Sequence, residues 1–198
     1  MLEGALLDQL VERGFAVSDA LLDHALVRDL SRDLCTALDA GALHEAAVGK
    51  SRTRQTAIRG DRTLWIEADP AHPARAALLA ALDDLAQSLN RSLMLGIDHV
   101  EAHYAAYPAG ATYARHRDRF RDDDARVISF TCYLNETWRT EDGGCLRLYA
   151  PDPVDVLPVL GRCTLFRSDT IEHEVLPATR TRLSIAGWFR RRDAVLRR

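Results

Sequence analysis

The sequence is poor in cysteine, in aromatic residues and in long hydrophobic runs. A chain of 198 residues can bury a core without disulfide or metal staples. The cysteines show no CxxC spacing, so we expect free thiols buried in a reducing cytoplasm. They are Cys35, Cys132, Cys145 and Cys163. No segment approaches the roughly 20 apolar residues of a membrane helix, and the acidic N-terminus does not resemble a signal peptide.

An excess of charge of one sign is also missing. Lysine and arginine number 26 against 29 acidic residues, which gives a formal net charge of −3. This balance gives no reason to expect nucleic acid or an anionic membrane as a partner. The sequence predicts a soluble, cytoplasmic, globular protein that is a monomer or a weak homodimer.

The first ninety residues contain mostly helical patterns. Apolar residues at three- and four-residue spacing predict a helix that is capped by Ser18 and ends at Gly41. A second helix is predicted to begin after Pro73 and to end near Asn90. The polar residues 49–57 between the two helices lack periodicity and predict a loop.

The second half of the chain contains short strand-like runs separated by turn residues. The runs are residues 100–107, 127–134, 145–149, 162–166, 173–176 and 183–189. Such a series without intervening helices indicates an antiparallel jelly roll. We predict an α+β fold with a mainly β core, in which N-terminal helices buttress a double-stranded β-helix. One domain is expected: helical support in 1–92, a jelly-roll core in 93–190 and a basic tail in 191–198.

A candidate metal centre involves His116, Asp118 and His173. On an extended backbone, side chains two residues apart point to the same side, so His116 and Asp118 converge. His173, 57 residues later in the chain, supplies a third ligand from another predicted strand. Two imidazoles and one carboxylate form the facial triad of non-haem Fe(II) oxygenases, which leaves three metal positions open.

Arg182 lies nine residues after His173, at the start of the last predicted strand. An arginine inside a barrel needs an anion to offset the cost of desolvation, and its planar fork fits a carboxylate. A dicarboxylic 2-oxo acid could chelate the metal at one end and meet Arg182 at the other. The hydroxyl of Tyr133 could donate to the same carboxylate, and the last metal position would remain for O₂.

Other interpretations of these residues remain open. Arg182 could form a surface ion pair with Glu172 or Glu174. Two histidines and an aspartate are also compatible with a zinc hydrolase, or with a non-catalytic, cupin-like metal-binding module. His99 and His103 are interpreted as core or edge histidines rather than ligands. An internal anion anchor at Arg182 is the feature that favours the oxygenase.

The motifs resemble those of the 2-oxoglutarate- and Fe(II)-dependent dioxygenases, in particular the prolyl 4-hydroxylase-like branch. They are Tyr113-Ala-Arg-His116-Arg-Asp118, Arg126, Tyr133-Leu-Asn135, Gly143-Gly-Cys-Leu-Arg-Leu148, Phe166-Arg-Ser-Asp169, His173-Glu-Val-Leu-Pro177 and Arg182 with Gly187-Trp-Phe189. The sequence is most similar to bacterial relatives of the oxygen-sensing prolyl hydroxylases. Collagen-type enzymes generally carry a lysine in place of Arg182.

The resemblance implies a role for each matched residue. Iron would be held by His116, Asp118 and His173. The co-substrate 2-oxoglutarate would be bound by Arg182 and Tyr133, with Tyr107 and Tyr113 lining its pocket. Substrate contacts would come from Arg126 and Trp188, and from Arg52 and Arg54 in a finger loop at residues 49–57.

The implied reaction is the hydroxylation of a peptidyl proline in a protein substrate, of which a translation factor is one candidate. Succinate and CO₂ would be the co-products, with O₂ as co-substrate and ascorbate as an auxiliary reductant. Hydroxylation of free proline or another small molecule is the alternative on the same scaffold. A nucleobase substrate is disfavoured because the chain is weakly acidic and no basic groove can be identified.

Overall fold

The computed structural model describes residues 4–46, 59–119 and 125–192. The predicted finger loop with Arg52 and Arg54, and most of the basic tail, lie outside these residues. Three α-helices are described: α1 (Gly4–Arg13), α2 (His24–Asp39) and α3 (Pro73–Leu93). None of the described helices is long and apolar enough to cross a membrane.

Helix α2 begins later than the sequence pattern predicts. Its N-cap is Asp23, whose carboxylate accepts hydrogen bonds from the backbone N–H groups of Ala25 and Leu26 at 2.8 and 3.2 Å. The predicted cap at Ser18 is wrong, because Ser18 ends a short strand that pairs with the major sheet. Serine and aspartate both cap helices well. The pairing of Ser18 in a strand leaves Asp23 as the cap.

Helix α3 begins at Pro73, as predicted, and runs to Leu93, three residues beyond the expected end. Asn90 donates a hydrogen bond to the carbonyl of Ile97 and accepts one from its backbone N–H, each at 2.8 Å. This pair ties the last turn of the helix to the segment that leads into the sheet.

Two antiparallel sheets contain the described strands. The strands are β1 (Phe15–Ser18), β2 (His44–Glu45), β3 (Arg62–Trp65), β4 (His99–Tyr107), β5 (Tyr113–His116), β6 (Arg126–Tyr133), β7 (Leu146–Tyr149), β8 (Val154–Val156), β9 (Cys163–Arg167), β10 (Glu172–Val175) and β11 (Arg182–Arg190). The major sheet has the order β1-β9-β6-β11-β4-β3-β2, and the minor sheet has the order β5-β10-β7-β8. This is the predicted jelly roll, so the fold class is confirmed.

The N-terminal region is less helical than predicted, because β1, β2 and β3 also lie there. Strand β1 pairs with β9, and β3 pairs with β4, so both extend the major sheet. Each has four residues or fewer, which is too short for the alternation that identifies a strand. Helix α1 and strand β8 were likewise missed.

The inside–outside alternation of β4 separates two cores. Ala102, Tyr104 and Ala106 point to the helices and join a large apolar cluster. Ala105 and Tyr107 point the other way, into a second cluster between the two sheets. Helices therefore cover the outer face of the major sheet, and the inner face remains for a functional site.

The cysteines are free, as predicted, but not all of them are buried. Cys132 and Cys163 lie in the helix-side core, whereas Cys35 is exposed and Cys145 is half-buried. The expectation of burial was wrong for Cys35, because it lies on the outward side of the amphipathic helix α2.

A polar cluster around Asp33 joins α2 to α3 and to β4. Its carboxylate accepts hydrogen bonds from Arg75 at 2.7 Å and from the Tyr104 hydroxyl at 2.7 Å, and His72 lies 2.7 Å away. Burial alone would raise the pKa of Asp33, but its hydrogen bonds with Arg75, Tyr104 and His72 outweigh burial and hold the pKa below its ordinary value. The carboxylate is therefore ionised and satisfied at neutral pH.

Replacing Asp33 with asparagine should lower the free energy of unfolding by about 3 kcal/mol, since Arg75 loses a buried charged partner. Urea unfolding at pH 7 measures this change. The control is Asp29→Asn on the same helix, where an exposed pair with Arg32 should contribute less than about 1 kcal/mol. Equal effects of the two substitutions would contradict the role of the cluster.

The stability difference between the wild type and Asp33→Asn should depend on pH. A carboxyl with a lowered pKa in the folded state stabilises the protein above its unfolded pKa of about 3.9, and this contribution is lost as the pH falls through the folded value. The two unfolding curves should therefore converge in acid below about pH 4. A difference that stays constant from pH 7 to acid would rule out an ionic origin.

Candidate active site and metal centre

The predicted triad of His116, Asp118 and His173 comes together at the minor sheet, with the histidines on β5 and β10 and Asp118 in the bend that follows β5. Strands β5 and β10 are antiparallel, with His116 and His173 directly opposite each other. One potential ligand atom from each of the three residues lies within 4.8 Å of the other two. Asp118 Oδ1 is 3.5 Å from His116 Nε2, and its Oδ2 is 3.7 Å from His173 Nε2. All three donors therefore face one point.

Backbone carbonyls orient both imidazoles. His116 Nδ1 is 2.7 Å from the carbonyl oxygen of Ala114, and His173 Nδ1 is 3.4 Å from that of Ile171. Since a carbonyl can only accept, each Nδ1 carries the proton and each Nε2 keeps a lone pair. His116 Nε2 is buried and has no hydrogen-bond partner among the described residues. This buried lone pair fits a metal ion.

The protonation states suit a divalent metal. Burial lowers the pKa of His173 to about 4, although Asp118 opposes this shift, so the ring is neutral at pH 7. Burial alone would raise the pKa of Asp118, but the two imidazoles and the Ser129 hydroxyl hold it well below its ordinary value. Ser129 donates to Asp118 Oδ2 at 2.7 Å. Neutral imidazoles and an ionised carboxylate are the forms that bind metal.

Aromatic rings fix the two imidazoles in place. The ring of Tyr113 stacks on that of His116 with centroids 3.7 Å apart, and the ring of Phe166 lies 4.6 Å from that of His173. Tyr113 is itself covered by Arg59, whose guanidinium is 4.9 Å from its ring and is held by Asp61 at 2.6 Å. The ligands therefore cannot rotate without disturbing packed neighbours.

Arg182 is a buried cation at the other end of the cavity, on the first residue of β11. Its Nε donates to the carbonyl of Gly144 at 2.9 Å and its Nη1 donates to Ser184 Oγ at 3.1 Å. Gly144 adopts a φ of +70°, and a Cβ there would lie 3.3 Å from the Arg182 side chain. Only glycine allows this close approach without strain.

No carboxylate pairs with Arg182 among the described residues, although its exposure is only 2%. The surface interpretation is therefore wrong: Glu172 pairs with Arg115, and Glu174 accepts from Tyr149. Both glutamates lie on the minor sheet, outside the barrel. A buried guanidinium without an anion is costly, so this position fits an anionic ligand.

Two tyrosines flank this guanidinium. The Arg182 guanidinium carbon lies 5.0 Å from the ring of Tyr133 and 5.2 Å from that of Tyr107. Burial raises the pKa of both phenols, despite the opposing charge of Arg182, so they remain protonated donors. The Tyr133 hydroxyl is buried and, within the described part of the chain, has no hydrogen-bond partner. It is available to the same anion.

Small side chains keep the centre of the cavity open. Ala105, Thr131, Ser184 and Ala186 line it between Arg182 and the triad. Larger residues at these inward positions would fill the barrel with core.

Trp188 and Arg126 lie together beyond the triad. The Arg126 guanidinium is 3.6 Å from the ring of Trp188, and its Nη1 donates to the backbone carbonyl of Asp118 at 3.3 Å. Arg126 also pairs with Glu101 at 3.3 Å. Trp188 lines the same cavity as the triad, and Arg126 bonds to the backbone of a triad residue, so the pair stands next to the metal centre.

The structure thus places close together all the described residues that the sequence analysis had proposed for the site. A three-ligand centre with a neighbouring anion site is the arrangement of non-haem Fe(II) oxygenases that use a 2-oxo acid.

Comparison with known proteins agrees with this class. The sequence profile of the 2OG-Fe(II) oxygenase superfamily matches residues 102–190. A prolyl-4-hydroxylase of Pseudomonas putida has 44% sequence identity and a TM-score of 0.87, covering 95% of this chain and 98% of that one. A Trichoplax adhaerens prolyl hydroxylase, solved with a peptide fragment of the hypoxia inducible factor oxygen degradation domain, has 28% identity and a TM-score of 0.86, covering 93% and 87%.

Among curated proteins, human Egl nine homolog 1 is 29% identical over 188 residues, which are 90% of this chain and 44% of that protein. The chain spans about half the length of the curated relatives it matches. It belongs to the 2OG-Fe(II) oxygenase superfamily, in the prolyl 4-hydroxylase-like branch. Fe(II) and 2-oxoglutarate are the metal and the co-substrate of this family.

Sequence reasoning missed Ser129. This residue could have been found, because it lies on the same side of β6 as Tyr133 at a spacing of four residues. The interpretation of His103 as a core or edge residue agrees with its burial. Trp65, which lies opposite His103 on β3, was not considered.

Replacing Ser129 with alanine should weaken Fe(II) or Mn(II) binding about tenfold, because Asp118 loses the hydroxyl that orients its carboxylate. Metal titration under anaerobic conditions measures the dissociation constant. Ser31→Ala is the control: this serine is also buried and hydrogen-bonded, but it donates to Leu134 under helix α2. Equal metal affinities of the two variants would contradict the orienting role.

Proposed function

We propose that this protein is an Fe(II)- and 2-oxoglutarate-dependent dioxygenase that hydroxylates a peptidyl proline in a protein substrate. The observation that carries the proposal is Arg182, a buried cation without a described carboxylate partner, in the same cavity as an open three-ligand centre. A structural metal site would need no such cation. A hydrolytic zinc site would leave it equally unexplained.

We propose that His116, Asp118 and His173 hold the iron. They occupy one side of the metal and leave three positions for ligands from solution. When bound, iron and 2-oxoglutarate supply the oxidising chemistry, in which O₂ is consumed, succinate and CO₂ form, and a substrate C–H group becomes C–OH. The protein positions the reacting groups and excludes water.

Arg182 and Tyr133 bind the far carboxylate of 2-oxoglutarate in this proposal. A guanidinium and a phenol with raised pKa act together as donors, and burial strengthens both interactions. Tyr107 and Tyr113 form the wall between this anchor and the metal. The small residues in the centre then set the length of the co-substrate that fits.

A peptide substrate is supported by the pair formed by Arg126 and Trp188. A cation and an indole beside the metal centre suit contact with an extended chain, whereas a free amino acid would call for a closed pocket. The Trichoplax relative binds a peptide fragment. Free proline and other small molecules remain the alternative substrate class.

Some sequence expectations belong with this proposal. They are a cytoplasmic location, ascorbate as auxiliary reductant, the absence of a nucleic-acid partner, and a monomer or weak homodimer. Arg52 and Arg54 are further candidates for contacts with the substrate.

Succinate formation from 2-oxoglutarate by the Fe(II)-loaded protein in air tests the activity. Arg182→Gln should abolish succinate formation while metal binding persists, because only the anion anchor is lost. His173→Ala should lose both succinate formation and metal binding. Arg147→Ala, which removes an exposed pair with Asp155, should behave like the wild type. The protein should also add one oxygen atom to a proline of synthetic peptides, as measured by mass spectrometry.

The outcomes separate the candidate functions. Oxygen added to free proline but not to any peptide would establish the small-molecule alternative. Metal binding without any affinity for 2-oxoglutarate would contradict the oxygenase and favour a non-catalytic module.

A further inference from the structure

His103 lies beside the metal cavity and has no role in the site described so far. It stands opposite Trp65 on β3 and opposite Ala186 on β11, so the three side chains share the inner face of the major sheet. Its ring is 5.2 Å from that of Trp65 and 5.5 Å from that of Trp188. His103 is 2% exposed and lines the cavity that contains the triad.

The ring of His103 is neutral and its tautomer is defined. Its Nδ1 is 3.1 Å from the carbonyl oxygen of Tyr104, which can only accept, so Nδ1 carries the proton. Burial lowers the pKa of His103 to about 4; Arg59 and Arg126 add to this shift, while the Tyr104 carbonyl and Asp61 oppose it. At neutral pH the Nε2 atom is therefore an unprotonated acceptor.

A buried acceptor needs a donor. The hydrogen bonds of His103 to described residues use only Nδ1. The nearest candidate donor, the Trp188 Nε1–H group, has no hydrogen-bond partner among the described residues, so it does not bond to His103. Trp65 is half-exposed, at 51%, which is unusual for a large aromatic residue next to a buried cluster. These features fit a surface that a ligand completes.

We propose that His103 Nε2 accepts a hydrogen bond from the backbone N–H of the residue that follows the target proline, while Trp65 and Trp188 contact the chain on either side. This inference rests on the proposed function. A peptidyl proline has no N–H of its own, so the nearest donor on its C-terminal side is the amide of the next residue. His103 would thus be a positioning and specificity residue for a continuing peptide chain.

The first experiment measures the tautomer without reference to activity. The full chain, labelled with ¹⁵N-histidine and loaded with Zn(II) and 2-oxoglutarate, should show His103 with a protonated Nδ1 and an unprotonated Nε2 at pH 7. The His103→Gln spectrum assigns the signals. A charged ring, or the tautomer with the proton on Nε2, would overturn the proposal whatever the enzyme's activity.

The second experiment compares two peptides by calorimetry on the same Zn(II)- and 2-oxoglutarate-loaded protein. Both are acetylated octapeptides with one central proline, chosen because the wild type hydroxylates the parent, and the second is N-methylated at the residue after proline. N-methylation should weaken binding to the wild type about fivefold, the effect of one lost hydrogen bond.

Variants separate the hydrogen bond from a steric effect of the methyl group. His103→Gln places an amide oxygen near the Nε2 position and should keep the discrimination, whereas His103→Phe should bind both peptides with similar affinity. His99→Gln, an exposed position on the same strand, is the control and should match the wild type. Near-UV circular dichroism confirms that each variant is folded.

Equal discrimination by the wild type and His103→Phe, or none by the wild type, would overturn the proposal. If no peptide is hydroxylated, the peptide substrate itself fails and this inference fails with it. If peptides are hydroxylated but N-methylation has no His103-dependent effect, only the role of His103 is wrong.

Discussion

The burial of Arg182 inside the barrel is the constraint on which the rest of the site depends. A guanidinium with 2% exposure is tolerated because a glycine carbonyl and a serine hydroxyl take two of its donors, yet neither neutralises its charge. The barrel therefore contains a positive charge that no carboxylate of the described residues balances, and a bound anion would balance it. Binding of the co-substrate and completion of the core are one event in this view.

Antiparallel strand pairing then brings together metal ligands that are far apart in the sequence. His116 and His173 are directly opposite each other on β5 and β10, so one register brings together ligands that are 57 residues apart in sequence. A slip of β10 by one residue would turn His173 to the outside and leave His116 without its partner. The stacked ring of Tyr113 and the hydroxyl of Ser129 hold the ligands in an orientation that the register alone does not fix.

Much of this arrangement could be predicted from the sequence. The series of short strand-like runs without intervening helices indicated a jelly roll, and the two-residue spacing of His116 and Asp118 placed both on one side of an extended segment. The predictions failed where tertiary pairing overrode local preference, as at Ser18, where a strand replaced a helix start. Ser129 escaped notice because its role depends on a neighbour outside its own strand, and a single strand does not reveal its register.

Strand β11 explains how the site is ordered in space. Its inward residues are, in sequence, Arg182, Ser184, Ala186 and Trp188: a cation, two small side chains and an indole. Because inward residues recur every two positions, about 6.6 Å apart, one strand sets the spacing between the buried cation, the small residues at the centre and the indole. Strand β4 runs antiparallel to it, with Tyr107 opposite the cation and His103 opposite Ala186. The two adjacent strands therefore change from charged to aromatic character along the cavity, and in the proposed function this order would set the length of the co-substrate and the side from which the substrate approaches.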